Sequence, residues 1–234
     1  LPDWLDPAYG RAHKWPGFLD ALRAIHHPQR PEDIDPRAPA RQRLAYDELL
    51  ANQLALVMVR ARMKKLGGRA TVAQGVLAQK IANALPFTLT GAQSDAIGDI
   101  VQDLASEERM LRLVQGDVGS GKTLVALMAM AHVVEAGRQA AMMAPTEILA
   151  RQHYERLGPL CDAAGIRLGL LTGRDKVGER NRTLAALIAG EIDIVVGTHA
   201  LFQESVAFRD LALAVVDEQH RFGVHQRLAL GDKG

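Results

Sequence analysis

The run LRLVQGDVGSGKT, residues 111–123, decides the fold: an apolar stretch breaks into GDVGSGKT, which fits the pattern G-x-x-x-x-G-K-[ST]. Glycines let such a loop wrap closely round phosphate groups with its N–H donors turned inward, and the positive end of the following helix adds to the attraction. Gly116, Asp117, Val118, Gly119, Ser120 and Gly121 would form the cradle. Lys122 would reach the β- and γ-phosphates, and the Thr123 hydroxyl would ligate Mg²⁺. The context agrees, with an apolar run before the loop and the helical pattern TLVALMAMAHVVEAG after it. A glycine-rich turn that merely opens a helix has no use for Lys-Thr at its end.

Four more short apolar runs lie downstream: QAAMMAP (139–145), IRLGLLTG (166–173), DIVVGTH (193–199) and LALAVVDE (211–218). Helical patterns over 122–136, 147–164 and 176–189 separate the first four of the five runs. Strand–helix alternation with near-continuous apolar strands predicts an α/β fold, a P-loop NTPase domain with a mainly parallel sheet covered on both faces. In such sheets the working residues gather at the carboxyl ends of the strands.

The last run ends in two adjacent acids. A phosphate loop needs a second acid to hold its metal, and hydrolysis needs a positioned, activated water. Asp217 can hold Mg²⁺ through the ion's water shell, and Glu218 beside it can act as base for the attacking water. Together with Lys122 they read as the catalytic half of an NTP-hydrolysis site.

Before residue 86 the composition differs. Pro2, Pro7, Pro16, Pro28, Pro31, Pro36 and Pro39 are spaced so that no long helix or strand persists. Trp4, Trp15 and Phe18 supply most of the apolar anchors, so this segment reads as irregular chain laid over something else. Pro39-Ala40 then opens a long helix that Gly67-Gly68 ends. Leu44, Leu49, Leu50, Leu54, Leu56 and Val57 give it a broad apolar stripe. Arg60, Arg62, Lys64 and Lys65 crowd its last turns, where they complement the helix dipole or meet an anionic partner. Residues 1–85 carry 13 Lys and Arg against 8 Asp and Glu, whereas the rest carries 15 against 19. The asymmetry fits either an anionic partner or simple solvation of helix faces. The single cysteine, Cys161, excludes an internal disulfide. No apolar run is long enough to span a bilayer and no signal-peptide pattern is visible, so a cytoplasmic setting without membrane contact is expected.

The phosphate loop combined with Asp217-Glu218-Gln219-His220 resembles the superfamily-two DExH helicases and translocases. GDVGSGKT, APTEILARQH (144–153), LLTG (170–173), VVGTHAL (195–201) and DEQHRFGVHQR (217–227) are together similar to the RecG family of ATP-dependent DNA helicases. Gln219 separates that family from related translocases, which carry Glu there. The resemblance covers residues 86–234 and extends less sharply over 1–85.

The resemblance implies a RecA-like ATP-binding domain over 86–234, with ATP and Mg²⁺ as cofactors. It also implies that 1–85 is a helical linker joining a wedge domain, not present in this sequence, to the motor. PFTLTGAQ (86–93) looks like an adenine-recognition segment, with Gln93 reading the base edge and Phe87 or Leu89 near its face. Gln93 is equally placed to close a capping box with Thr90. Pro145, Thr146, Thr172, Gly173, Gly197, Thr198 and His199 would line a DNA backbone track, although Thr146 also suits a helix cap. Gln219, His220, Arg221 and Gln226 would couple nucleotide state to DNA or to a partner domain; for His220 a satisfied core histidine is the alternative.

Such helicases close their ATP cleft with a second RecA-like domain, which lies outside this sequence and would supply an arginine finger. A finger is worth ~10³–10⁵ in rate where measured, so the chain alone is expected to hydrolyse ATP slowly or not detectably. The parent is expected to remodel branched or double-stranded DNA, at stalled forks and Holliday junctions, in recombination and repair. The alternatives are another superfamily-two translocase acting on nucleic acid, RNA included, and a nucleotide-binding module without activity.

Overall fold

The structure is a computed structural model that describes residues 3–65, 67–203 and 205–218. It divides into two compact units, Leu1–Lys65 and Leu66–Gly234.

In the first unit, the prolines limit the early chain to short elements, as expected. Helix α1 (Pro7–His13) starts on Asp6, whose carboxylate accepts from the amides of Ala8 and Tyr9, and Pro7 occupies its first turn. Helix α2 (Phe18–His26) and a 3₁₀ turn at Pro31–Ile34 follow. The surface that this segment covers is α3 (Pro39–Lys65), a helix of 27 residues. A buried guanidinium ties the two together. Arg43 of α3 donates through Nε to Asp47 Oδ2 at 2.7 Å and through Nη2 to Asp3 Oδ1 at 2.6 Å. Trp4 donates its indole N–H to Asp47 Oδ1 at 2.9 Å. Hydrogen bonding from Arg43 holds the Asp3 carboxyl below its usual range. A buried charge is tolerated only when it is paired and hydrogen-bonded, and Arg43 meets that condition with two carboxylates. Of the apolar stripe on α3, Leu49, Leu54, Leu56 and Val57 stay exposed.

The second unit contains helices α4 (Val76–Ala84), α5 (Gly91–Leu104) and α6 (Lys122–Glu135), then strand β1 (Gln139–Met143) and helix α7 (Glu147–Ala164). Strand β2 (Leu168–Leu171), helix α8 (Val177–Ala189), strand β3 (Ile194–Gly197) and strand β4 (Leu211–Val216) complete it. The sheet order is β2-β3-β1-β4, and every pairing is parallel. Because successive strand residues point to opposite faces, Ala140, Met142, Ile194 and Val196 enter one core with α6 and α7. Ala141, Met143 and Val195 enter a second core with Leu187 of α8. The sheet is therefore covered on both faces, as the apolar runs require.

Two expectations need correction. The run at 111–117 forms no strand: Leu111 and Leu113 are 67% and 71% exposed, and no ladder hydrogen bond involves this run. Side chains hold it instead, Arg112 donating to Asp103 at 2.7 Å and Asp99 at 3.0 Å on α5. An apolar run becomes a strand only where a neighbour completes its hydrogen bonds. The compact units also part after Lys65 rather than at the compositional change near 86. Ile81 of α4 is fully buried in the larger core, and the Thr71 amide donates to the Leu104 carbonyl at 2.7 Å. Among the described residues no helix is long and apolar enough to cross a membrane.

Candidate active site

The phosphate loop runs into the start of α6. Gly119 and Gly121 adopt φ of +83° and +84°, a left-handed conformation that side chains with a Cβ rarely take. A Cβ at 121 would also displace the side-chain amide of Gln93 from its present place. The Lys122 ammonium folds back over the loop, donating to the carbonyls of Gly116 at 2.7 Å and Asp117 at 2.8 Å. The Ser120 amide donates to the Asp117 carbonyl at 3.2 Å. Val118 stands fully exposed at the tip. The loop is thus closed on its own carbonyls, with the lysine already at its centre.

Asp217 and Glu218 emerge where β4 ends. The Asp217 amide donates to the Met143 carbonyl at 2.8 Å, extending the β1–β4 pairing by one bond and fixing the backbone of the acid. Its Oδ2 lies 2.8 Å from Nε2 of His153, on α7. This hydrogen bond holds the Asp217 carboxyl below its usual range, against the opposing effect of burial; the Glu218 amide and the charge of Lys122 act in the same direction. Lys122 and Asp217, far apart in sequence, therefore share one electrostatic environment. Glu218 sits at φ +52°, unusual for a residue with a side chain, and is exposed. Thr123 and Asp217 offer hard oxygen donors of the kind Mg²⁺ prefers. Among the described residues no cluster of three or more His, Cys, Asp or Glu exists, so such an ion would depend on these two, on water and on nucleotide phosphates.

Gln93 closes the capping box open to it and makes a further bond to the phosphate loop. Its Oε1 accepts from the Thr90 amide at 3.0 Å while Thr90 Oγ1 accepts from the Gln93 amide, a complete capping box at the start of α5. Its Nε2 donates to the Ser120 carbonyl at 2.9 Å, linking the segment at 86–93 to the phosphate loop. Of the two apolar candidates for a base face, Leu89 packs against the core and Phe87 is exposed.

The residues expected along a DNA track sort into two groups. Pro145, Thr146, Gly173 and His199 lie at the surface or only partly covered, and Thr146 caps α7 by accepting from the Leu149 amide. Thr172, Gly197 and Thr198 are buried. The Thr172 hydroxyl donates to Asp175 Oδ1 at 2.6 Å, and its amide donates to Asp175 Oδ2 at 2.6 Å. Thr198 caps the 3₁₀ turn at His199–Phe202. A Cβ on Gly197 would collide with the Leu171 carbonyl. The hydroxyls of Thr172 and Thr198 thus hold strand ends in shape instead of facing outward. Gln219, His220, Arg221 and Gln226 fall outside the described residues.

Two features escaped sequence reasoning. His153 sat inside a quoted motif without a role, although Ala150, His153, Leu157, Cys161 and Ala164 recur at helical spacing and are all buried. A histidine in such a stripe needs a polar partner, and the acid at a strand end is the natural one. The second feature is charged. Glu147 Oε1 accepts from Arg151 at 3.1 Å, Arg151 also lies 3.6 Å from Asp175, and Arg174 approaches Glu147 at 3.7 Å while remaining largely exposed.

The chain is similar to known proteins along most of its length. The model of the DEAD/DEAH box helicase family matches residues 90–230. The chain is 48% identical over its whole length to the ATP-dependent DNA helicase RecG of Haemophilus influenzae, covering 34% of that protein. It is 45% identical over 92% of its length to the RecG of Escherichia coli O157:H7, covering 32% of it. It thus spans about a third of these relatives. A solved structure of RecG bound to a three-way DNA junction superposes with a TM-score of 0.75 and 42% identity, over 95% of this chain and 30% of that one.

Proposed function

The chain belongs to the DEAD/DEAH box helicase family, and from that premise we propose that it is the first motor half of an ATP-dependent DNA translocase that remodels branched DNA. The observation that carries the ATPase reading is the glycine loop, with Gly119 and Gly121 in the left-handed conformation and the Lys122 ammonium over the loop's carbonyls. An ammonium on a glycine loop and an ionised carboxylate at a neighbouring strand end feel each other's charge. The branched-DNA reading rests on similarity to RecG across nearly the whole chain.

In the proposed cycle Lys122 leaves the carbonyls of Gly116 and Asp117 for the β- and γ-phosphates, exchanging two neutral acceptors for charged ones. Asp217 and Thr123 would hold Mg²⁺, which when bound neutralises charge on the phosphate oxygens. Glu218 would take the proton of the attacking water. Gln93 would release the Ser120 carbonyl to read the adenine edge while Phe87 covers its face, so that base recognition and opening of the phosphate loop become one event. Along the strand ends, Thr146, Gly173 and His199 would meet DNA phosphates, helped by Arg151 and Arg174 as point charges. Thr172, Gly197 and Thr198 would shape that track from below. Gln219, His220 and Arg221 would relay nucleotide state to a second RecA-like domain of the parent chain, with residues 1–85 leading to its wedge. A DNA substrate implies work in the cytoplasm.

ATP hydrolysis by the full-length parent protein tests the reading. Forked DNA should stimulate it strongly, single-stranded RNA should not, and Lys122→Ala should abolish it. Equal hydrolysis with and without forked DNA would overturn the reading.

A further inference from the structure

The contact between His153 and Asp217 has no place in the roles above, although it joins the two halves of the molecule's chemistry. Nε2 of His153 lies 2.8 Å from Oδ2 of Asp217, and a carboxylate at neutral pH has no proton to give, so the hydrogen bond runs from Nε2–H to Oδ2. The other ring nitrogen, Nδ1, is buried and has no hydrogen-bond partner among the described residues. Among the described residues the ring makes one hydrogen bond, and that bond is directed at the acid. His153 itself is buried, as are Ala150 and Leu157 one turn to either side along the helix.

We propose that His153 is the positioning residue for Asp217, a role that rests on reading Asp217 as the acid that holds the cation. The Asp217 backbone is fixed by Met143, which leaves the carboxyl free to turn about its side-chain torsions. The bond to Oδ2 removes that freedom and presents the remaining oxygen in one direction. Partners of this kind, one bond removed from the ion, orient the groups that hold it and tune their affinity.

The helix that carries His153 adds a second consequence. It starts at Thr146, on the edge proposed to meet DNA, and His153 follows two turns later, about 10 Å along the axis. One rigid element thus has one end at the nucleic-acid side and a side chain on the acid of the ATP site. A shift of α7 on DNA binding would be felt at Asp217 through His153.

The test uses the full-length parent protein and three variants. His153→Phe keeps the ring volume and loses the donor. His153→Gln carries its amide N–H where Nε2 now sits, whereas His153→Asn carries it where Nδ1 sits. The first readout is affinity for a fluorescent ATP analogue titrated across Mg²⁺ concentrations and in EDTA; the second is the ratio of DNA-stimulated to basal hydrolysis. His153→Phe and His153→Asn should raise the Mg²⁺ concentration needed for tight binding about 10-fold, leave binding in EDTA unchanged and lower the stimulation ratio. His153→Gln should stay near the parent on both readouts. If His153→Phe fails to fold, the contrast between Gln and Asn decides alone. Unchanged Mg²⁺ dependence in His153→Asn overturns the proposal, as does an equal loss of binding with and without Mg²⁺. An unmodified protein that ignores DNA would instead overturn the motor reading, while its Mg²⁺ titration would still report on His153.

Discussion

The two edges of the sheet use the same kinds of side chain to opposite ends. At the amino-terminal edge each strand is immediately preceded by a charge: Arg138 before β1, Arg167 before β2, Asp193 before β3 and Asp210 before β4. These charges pair across neighbouring strands, Arg138 with Asp210 at 3.2 Å and Arg167 with Asp193. Arg69 also donates to Asp210 at 2.6 Å, and Arg138 reaches Thr71 at 2.6 Å. At the carboxyl edge, Asp217 follows the same strand that Asp210 precedes, yet its side-chain partner is an imidazole. Asp210 lies between two permanent cations, and both of its oxygens accept from them. Asp217 is held by a hydrogen bond that leaves one oxygen for an ion. The partner, more than the carboxylate itself, separates an acid that ties two strands together from one with an oxygen left for the ion proposed above.

The largest expected effect would break the comparison outright. Asp217→Asn should lower the DNA-stimulated kcat of the parent protein by about 10²–10³-fold, the scale of a lost electrostatic contact to the reacting phosphates, with little change in melting temperature. Asp210→Asn should leave kcat unaltered. Similar kcat losses in the two variants would erase the distinction. Next in size is stability. Asp210→Asn removes the charge and one of the two oxygens that Arg138 and Arg69 share, and should cost on the order of 1–2 kcal/mol in urea unfolding, more than Asp217→Asn costs.

Acid sharpens the same contrast. Burial raises the Asp210 carboxyl, but hydrogen bonds from Arg138 and Arg69 outweigh it and hold the group below its usual range. For a depressed carboxylate the stability contribution is complete above the unfolded value of about 4 and is lost as pH falls through the folded value. Unfolding free energy should therefore be flat from pH 7 to about 5 and decline below pH 4. Asp210→Asn should make that decline shallower. The smallest effect concerns Gln93. Gln93→Ala removes a reciprocal cap and the tie to Ser120, costing about 0.5–1 kcal/mol, and should bring the ATP-over-GTP preference of the parent toward unity. An unchanged preference would leave Gln93 a cap only.

Three helices of the larger unit, α6, α7 and α8, were legible almost to the residue, because they announce themselves by spacing and end at glycines or small residues, whereas α4 and α5 were given no range. Four strands followed from short apolar runs. The fifth run, at 111–117, has the same composition but no hydrogen-bonding neighbour, and composition carries no information about neighbours. The phosphate loop was legible because its chemistry depends on local spacing. The contact of His153 with Asp217 was not, since it joins residues 64 positions apart. The burial of Thr172 and Thr198 was hidden for a related reason. A threonine at a strand end reads the same whether its hydroxyl faces a phosphate or an inward acid such as Asp175.

Cys161 lies on α7 two turns beyond His153, fully buried, and burial pushes its thiol up to about 12. As the only sulfhydryl in the sequence, it should stay silent to maleimide reagents while the helix is seated, since thiolate is the reactive form. A cysteine placed on an exposed position such as Val118 could then be labelled selectively without removing the native one. The native thiol would serve as a sentinel whose slow modification reports each departure of α7 from the sheet.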